Sequence, residues 1–412
     1  MGNKRSNGEG TTYKNEERQC YEGQFSYNDP ITGVLKRKKF TGKTDKEVKA
    51  KGKAFLQGLE NGLMPDADKI TVWQWLDRWL TDYIKPNVRI KSFEKYESSL
   101  RVYIKPKIGD KLLVKIKAPD IQRFFNEMLV SGGVKGLGVS TSTVRGTRRY
   151  LCMAFDKGIE VGVLSKNVVK ATTPPKLNKE EIRPLKKEQA DKLLQVAKEG
   201  EYMYLGVTQR RKPSPSSEYH KGMCYIAVLL ALSTGMRLGE VFGLKWDDID
   251  FANNSINVNR ALVSSSTQGM IFEDPKTKGS KRKIPVTQNV TKALAKYKKE
   301  QEWFINLMGD KYDSKQNLVL ANLFGKPIDT SNFTTRYFKK MLEQAALDRS
   351  FKFHDLRHTH ATLLLCQGIN IKVISERLGH STITMTLDTY SHLMPDMQET
   401  AVKALEGIFN IG

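Results

Sequence analysis

Residues 351–365 read FKFHDLRHTHATLLL, and residues 369–390 read INIKVISERLGHSTITMTLDTY. The first run has helical spacing, with Leu356, Ala361 and Leu364 turned to a core, so His354 and Arg357 are neighbours on one helix face. The second run has a helical apolar pattern stopped by Gly379. His380 then opens a further helix over 382–391, which Ser381 or Thr382 can cap, and a helix N-terminus favours anions. Tyr390 lies near the end of that helix. These runs predict a mainly helical domain that gathers imidazoles, a guanidinium and a phenol.

Upstream, MCYIAVLLALSTG over 223–235 is too short to cross a membrane and predicts a buried helix ended by Gly235. MRLGEVFGL follows with Leu238, Val241, Phe242 and Leu244 in helical spacing, which puts Arg237 at a helix start beside a packed core. A guanidinium there needs a carboxylate or a phosphate. SINVNRALV, GMIFEDP and SKRKIPV predict one small antiparallel sheet whose turn, DPKTKGSK, carries Lys276 and Lys278. A lysine on such a turn is ordinarily a solvated charge, and over a substrate it is a proton donor to a leaving alkoxide. QRRKPSPSSEYHKG over 209–222 has the composition of a mobile loop.

The chain has 412 residues and a formal net charge of +23, spread along its length. The size implies two or three domains, and the charge implies a polyanionic partner, nucleic acid foremost. No stretch approaches about 18 consecutive apolar residues, and MGNKRSNGEG lacks the apolar core of a signal peptide, so a cytoplasmic protein without a membrane partner is expected. Cys20, Cys152, Cys224 and Cys366 are widely spaced with no CxxC pair, which predicts reduced thiols. His354 and His358 are four apart, but no HExxH pattern or third ligand accompanies them, so neither a metal nor another cofactor is expected.

Residues 12–64 alternate around Tyr21, Phe25 and Tyr27, turn at 28–33, resume in VLKRKKF and predict a helix over 46–60. Lys36, Arg37, Lys38 and Lys39, interleaved with aromatics, suggest a sheet that meets DNA. From Ile70 the spacing is helical. Trp73, Trp75 and Trp79 are expected to pack, while Arg145, Arg148 and Arg149 on a helix over 142–160 are candidates for phosphates. KATTPPKLNKEEIRPLKKEQ has linker composition. The expected fold is multidomain α+β: a basic sheet domain over 1–66, an all-helical domain over 67–172, a linker over 173–185, and over 186–412 a mainly helical domain with a small antiparallel sheet.

The ordered set TGMRLGEVFGLKWDDID, PKTKGSKRKIP, HDLRHTHATLLL and LGHSTITMTLDTYSHL closely resembles the tyrosine site-specific recombinases, over about residues 180–400. The helical segment resembles that family's core-type DNA-binding domain, and residues 1–64 are similar to the arm-binding domain in integrases of conjugative transposons and temperate phages. The resemblance implies an active site of Arg237, Lys276, His354, Arg357 and His380, with Tyr390 as nucleophile; Lys278 competes with Lys276 for the lysine position. His354 is implied to assist proton transfer with the phenol. It further implies metal- and ATP-independent strand cleavage and rejoining through a 3′-phosphotyrosyl link and a Holliday junction. A homotetramer on double-stranded DNA, with core and arm sites, is implied, with an excisionase or DNA-bending protein as accessory. The apolar tail with Val402, Leu405, Ile408 and Phe409 either docks on a neighbouring protomer or caps its own core.

Three other readings stand beside this one. A non-catalytic DNA-binding architectural protein accounts for the charge but leaves the ordered set to coincidence. A type IB-like topoisomerase shares the chemistry without site preference. A metal-dependent nuclease lacks the paired carboxylates that two metals require.

Overall fold

A computed structural model describes residues 10–28, 34–60, 65, 67–133, 136–177, 182–201, 214–274, 281–390, 402 and 405. The chain forms two compact units, residues 1–179 and 180–412, each described by itself. Lys276, Lys278, Ile408, Phe409, the turn at 29–33 and residues 209–213 of the expected loop lie outside the described residues.

The first unit begins with an antiparallel sheet of β1 (Thr11–Asn15), β2 (Cys20–Asn28) and β3 (Leu35–Gly42), followed by α1 (Asp45–Glu60). Alternation assigns the faces. Phe25 is opposite Lys38 in the register, and Tyr27 and Phe40 share that face. All three rings turn inward: Phe25 meets Phe40 with centroids 5.7 Å apart, and Tyr27 meets Phe55 of α1 at 5.1 Å. Helix and sheet approach so closely that a Cβ on Gly52 would stand 2.1 Å from the Phe25 ring. The aromatics interleaved with the basic run are therefore core residues of this module, together with Val48 of α1.

The rest of the unit is helical: α2 (Val72–Arg78), a wider-wound turn over Trp79–Ile84, α3 (Ile90–Ser99), α4 (Lys105–Ile108), α5 (Ala118–Ser131) and α6 (Thr141–Glu160). Thr71 and Gln74 cap α2 reciprocally, which satisfies two backbone donors that a helix start leaves bare. Trp75 and Trp79 are fully buried with Leu76, Phe125, Leu151 and Phe155, and Trp75 Nε1 donates to the Ala154 carbonyl at 2.9 Å. Trp73 packs at the edge of the same cluster, with Lys105 over its ring.

In the second unit α7 (Lys187–Glu199), α8 (Pro215–Thr234) and α9 (Leu238–Phe242) precede the strands. α8 starts eight residues before the apolar run, which corrects the loop expected over 214–222. Ser214 accepts from the Ser217 backbone and Pro215 occupies the first turn, so a composition typical of loops here serves a helix start. The strands β4 (Ile249–Asp250), β5 (Ser255–Val258), β6 (Ala261–Ser265), β7 (Gly269–Glu273) and β8 (Arg282–Pro285) form two sheets where one was expected, β4-β5-β8 and the hairpin β6-β7. The break lies at Asn259 and Arg260, whose side chains are both held by buried Asp248. The remaining helices are α10 (Gln288–Met308), α11 (Thr330–Asn332), which winds on through Phe333–Phe338 into α12 (Lys339–Gln344), then α13 (Asp355–Cys366), α14 (Ile371–Leu378) and α15 (Ile383–Tyr390). α8 lies at the centre, packed by α7, α10 and α13. No helix among the described residues is long and apolar enough to cross a membrane.

Candidate active site

The site grows from the end of α8. Gly235 adopts a left-handed conformation, φ +67°, and a Cβ there would stand 2.7 Å from both His360 and Leu378. This turn brings Arg237 to the N-cap of α9. Its backbone N–H donates to Glu240 Oε2 and its Nη1 to Glu240 Oε1, each at 2.9 Å, while Nη2 reaches the Gly379 carbonyl at 3.5 Å. One short helical turn therefore fixes the guanidinium at both ends of its side chain.

Glu240 is only 5% exposed and also pairs with Arg282 of β8, at 2.9 Å. Burial pushes its carboxyl up, but Arg282 and Arg237 more than offset this and hold it below the usual range. Arg282 in turn donates from Nε to the Arg377 carbonyl at the end of α14. Arg377 donates to the Ser233 and Pro285 carbonyls and to His360 Nε2, and His360 Nδ1 bonds the Leu232 carbonyl. A single polar network thus ties α8, β8, α13 and α14 together behind Arg237.

Arg357, on the first turn of α13, is 2% exposed and donates from Nη1 to the Gly235 carbonyl at 2.8 Å. Its Nη2 is buried without a hydrogen-bond partner among the described residues. Burial, with Arg237 beside it, brings the guanidinium down to about 9, still charged at neutral pH. A buried cation with an unspent donor is costly unless an anion meets it.

His354 stands at the N-cap of α13, one position outside the helix in which the sequence pattern put it, because Asp355 accepts from the Lys352 backbone and starts the helix there. Its ring meets that of His358 edge-on, with centroids 5.2 Å apart, and burial and the two arginines lower its pKa. The His354 ring forms no hydrogen bond to a described residue. His358 does: its Nδ1 lies 2.8 Å from Tyr390 Oη. Tyr390 is fully buried among Ala361, Ile374 and Leu378, and burial pushes its phenol up to about 12 while Arg357 pulls the other way. His380 follows the left-handed Gly379, and its Nδ1 bonds Thr386 Oγ1 at 2.8 Å. Burial and the two arginines bring His380 down to about 4. Thr382 accepts from the Met385 backbone at the start of α15.

Arg237, His354, Arg357, His380 and Tyr390 thus lie in one neighbourhood, while Lys276 lies between β7 and β8, outside the described residues. Glu240, Arg282 and His358 join it without having been singled out for it. Glu240 had a signal, its position three residues after Arg237 at a helix start. His358 had only its i,i+4 relation to His354.

The remaining candidates lie in the first unit. Arg145 donates to the Pro175 carbonyl, and Arg148 to Thr172 and Val169, so both hold the segment after α6 against that helix; Arg149 is exposed. Lys38 lies over the Phe55 ring and pairs with Asp68, Lys39 pairs with Glu22, and Lys36 and Arg37 are exposed. Among the described residues, no three His, Cys, Asp or Glu side chains are grouped to hold a metal ion.

Residues 183–397 match the model of the phage integrase family, and residues 71–129 match that of the phage integrase N-terminal SAM-like domain. A tyrosine recombinase XerC-like protein of Caldanaerobacter subterraneus subsp. tengcongensis is 30% identical, over 97% of this chain and 99% of its own. The transposase of transposon Tn916 from Enterococcus faecalis is 25% identical over 78% of this chain and 76% of its own. Among solved structures, the Tn1549 transposon integrase in complex with transposon right end DNA superposes with a TM-score of 0.63 at 23% identity, covering 82% of this chain and 99% of that one.

Proposed function

The chain belongs to the phage integrase family and is a site-specific tyrosine recombinase acting on DNA, and from that premise we propose that it integrates and excises a mobile genetic element. The observation that carries the site assignment is the pairing of Arg357, with its buried unspent donor, and Arg237, anchored by Glu240, around the turns at Gly235 and Gly379.

In this proposal Arg237 and Arg357 clamp the non-bridging oxygens of the scissile phosphate and stabilise the charge that builds on it. His354 and His380 hydrogen-bond the same group. Tyr390 Oη attacks phosphorus, forming the P–Oη bond as the bond to the 5′-oxygen breaks, and Lys276 supplies the proton that the leaving oxygen takes up. The 3′-phosphotyrosyl link keeps the phosphodiester's energy, so a 5′-hydroxyl from a partner duplex reverses the step without ATP.

Two duplexes require four cleavages, which supports a homotetramer on DNA and a Holliday-junction intermediate. The solved lambda integrase tetramer bound to a Holliday junction has a related fold, with a TM-score of 0.51. We assign residues 1–66 to arm-type sites, 67–172 to core-type sites and 186–412 to catalysis, joined by a linker over 173–185. Arg37 and Arg149, both exposed, are the leading phosphate contacts of the first two segments. An excisionase or DNA-bending protein is the expected accessory, and the cytoplasm, on the nucleoid, the expected location.

Tyr390→Phe tests the nucleophile. The variant should bind DNA as the wild type does and form no denaturant-resistant covalent complex on nicked suicide substrates. Retained covalent trapping overturns the assignment.

A further inference from the structure

Attack by Tyr390 requires that its phenol lose a proton, and the surroundings of that phenol restrict where the proton can go. Tyr390 is fully buried, and its non-polar neighbours Ala361, Ile374 and Leu378 accept nothing. We propose that His358 takes the proton of Tyr390 Oη at Nδ1 during cleavage and returns it during rejoining. This rests on Tyr390 being the nucleophile, and it moves proton transfer from His354 to the imidazole one helical turn later.

Geometry is the first support. His358 Nδ1 and Tyr390 Oη are 2.8 Å apart, within reach for direct transfer. His354 is separated from the phenol in bonding terms: it contacts the far partner, the His358 ring, edge-on. Access is the second. The His358 ring is half-buried and lines an open cavity of about 770 Å³ with Arg183, Lys352, His354 and Asp355. One imidazole thereby connects a buried phenol to a solvent-facing space.

Charge is the third support. His358 is faced by His354, Asp355 and Arg357 from its own helix, by Tyr390 from α15, by His380 from the turn between α14 and α15, and across the cavity by Arg183, Asp348 and Lys352. Burial, His354 and Arg357 pull its pKa down to about 4 against the opposing pull of Asp355, so the ring is neutral and able to accept a proton at physiological pH. A phosphodiester anion on the arginine clamp offsets that repulsion, so basicity rises when substrate arrives. The step balances: the P–Oη bond forms, the P–O5′ bond breaks, one proton moves from Oη to His358, and one is supplied to O5′. Rejoining runs the same transfers backwards.

His358→Asn offers an amide oxygen near the Nδ1 position that can accept a hydrogen bond but not a proton. Covalent complex formation on a suicide substrate should slow by about 100-fold or more, with single-site DNA binding unchanged. Its rate should climb about tenfold per pH unit between about pH 7 and 9, as hydroxide takes over proton removal, whereas the wild-type rate is flat there. The defect should persist on a substrate with a 5′-bridging sulfur, whose thiolate leaves without a proton. A variant rate within about threefold of wild type, a pH profile parallel to it, or rescue by the bridging sulfur overturns the proposal. So does the same pH slope appearing in His354→Asn and not in His358→Asn. If His358→Asn loses DNA binding, the profile is taken from His358→Gln. Tyr390→Phe separates the two levels: covalent trapping by that variant removes the nucleophile assignment, while its absence alongside an unimpaired His358→Asn removes this proposal alone.

Discussion

Glu22 in the N-terminal sheet and Glu240 behind Arg237 are both buried carboxylates that gather cations, and they differ in where those cations stand. Glu22 accepts from Tyr13 and Asn15 and pairs with Lys39 and Arg18, the last of which is 72% exposed. Hydrogen bonds from Lys39 and Tyr13 hold its carboxyl down at about 2. Glu240 pairs with Arg282, whose side chain is as buried as its own, and with Arg237 at the start of α9. Water can replace Lys39 or Arg18 when Glu22 is lost. It cannot easily reach Arg282. The first carboxylate quiets a basic surface strand, whereas the second holds the Arg237 guanidinium in place.

The largest effect that sharpens this contrast is expected from Glu240→Ala. Removing one partner of a buried pair strands the other, which costs about 3–5 kcal/mol. Urea unfolding of the full chain should show the transition of the second unit lowered by that amount, together with slower covalent trapping because Arg237 loses its anchor. A loss below about 1 kcal/mol would place Glu240 in the same class as a surface ion pair and dissolve the comparison.

How far sequence alone reached follows the same division between local and distant partners. α1, the helix face that carries Trp75 and Trp79, the glycine stop at Gly235 and the cap at Thr382 are written in residues within one or two helical turns, and periodicity exposed them, although what Trp75 and Gly235 pack against lies far away in sequence. The start of α8 was hidden because Ser, Pro and Lys serve both loops and helix starts. The roles of Arg145 and Arg148 were hidden because their acceptors lie more than twenty residues away in a segment with linker composition. His358 illustrates the limit within the site. Three histidines share the run HDLRHTH, and which of them meets Tyr390 is decided by the packing of α15, 32 residues further on.

A second test targets the sheet module alone. In Gly52→Ala the new Cβ would fall 2.1 Å from the Phe25 ring, between α1 and β2, so the ring or the helix must shift. Overpacking of this kind costs about 1–3 kcal/mol. Hydrogen-exchange protection of β2 should drop while the unfolding transition of the second unit stays in place. A shift of both would mean that the two units unfold as one body.

The smallest effect is expected from Glu22→Gln, and it shows itself in pH. The folded carboxyl titrates near 2 against an ordinary value of 4.5, so its contribution to stability is present above about 4.5 and is lost as pH falls toward 2. Exchange protection factors of β1 and β2 in the wild type should therefore decline through that window. Asp45 and Glu47 on α1 are also held below their usual range, by Lys49 and Lys51, so part of the decline should survive in the variant. Glu22→Gln should begin with less protection at neutral pH and lose less of it on acidification. If the two proteins decline in parallel, Lys39 and Tyr13 have not tuned this carboxyl, and the buried position of Glu22 is a matter of packing alone.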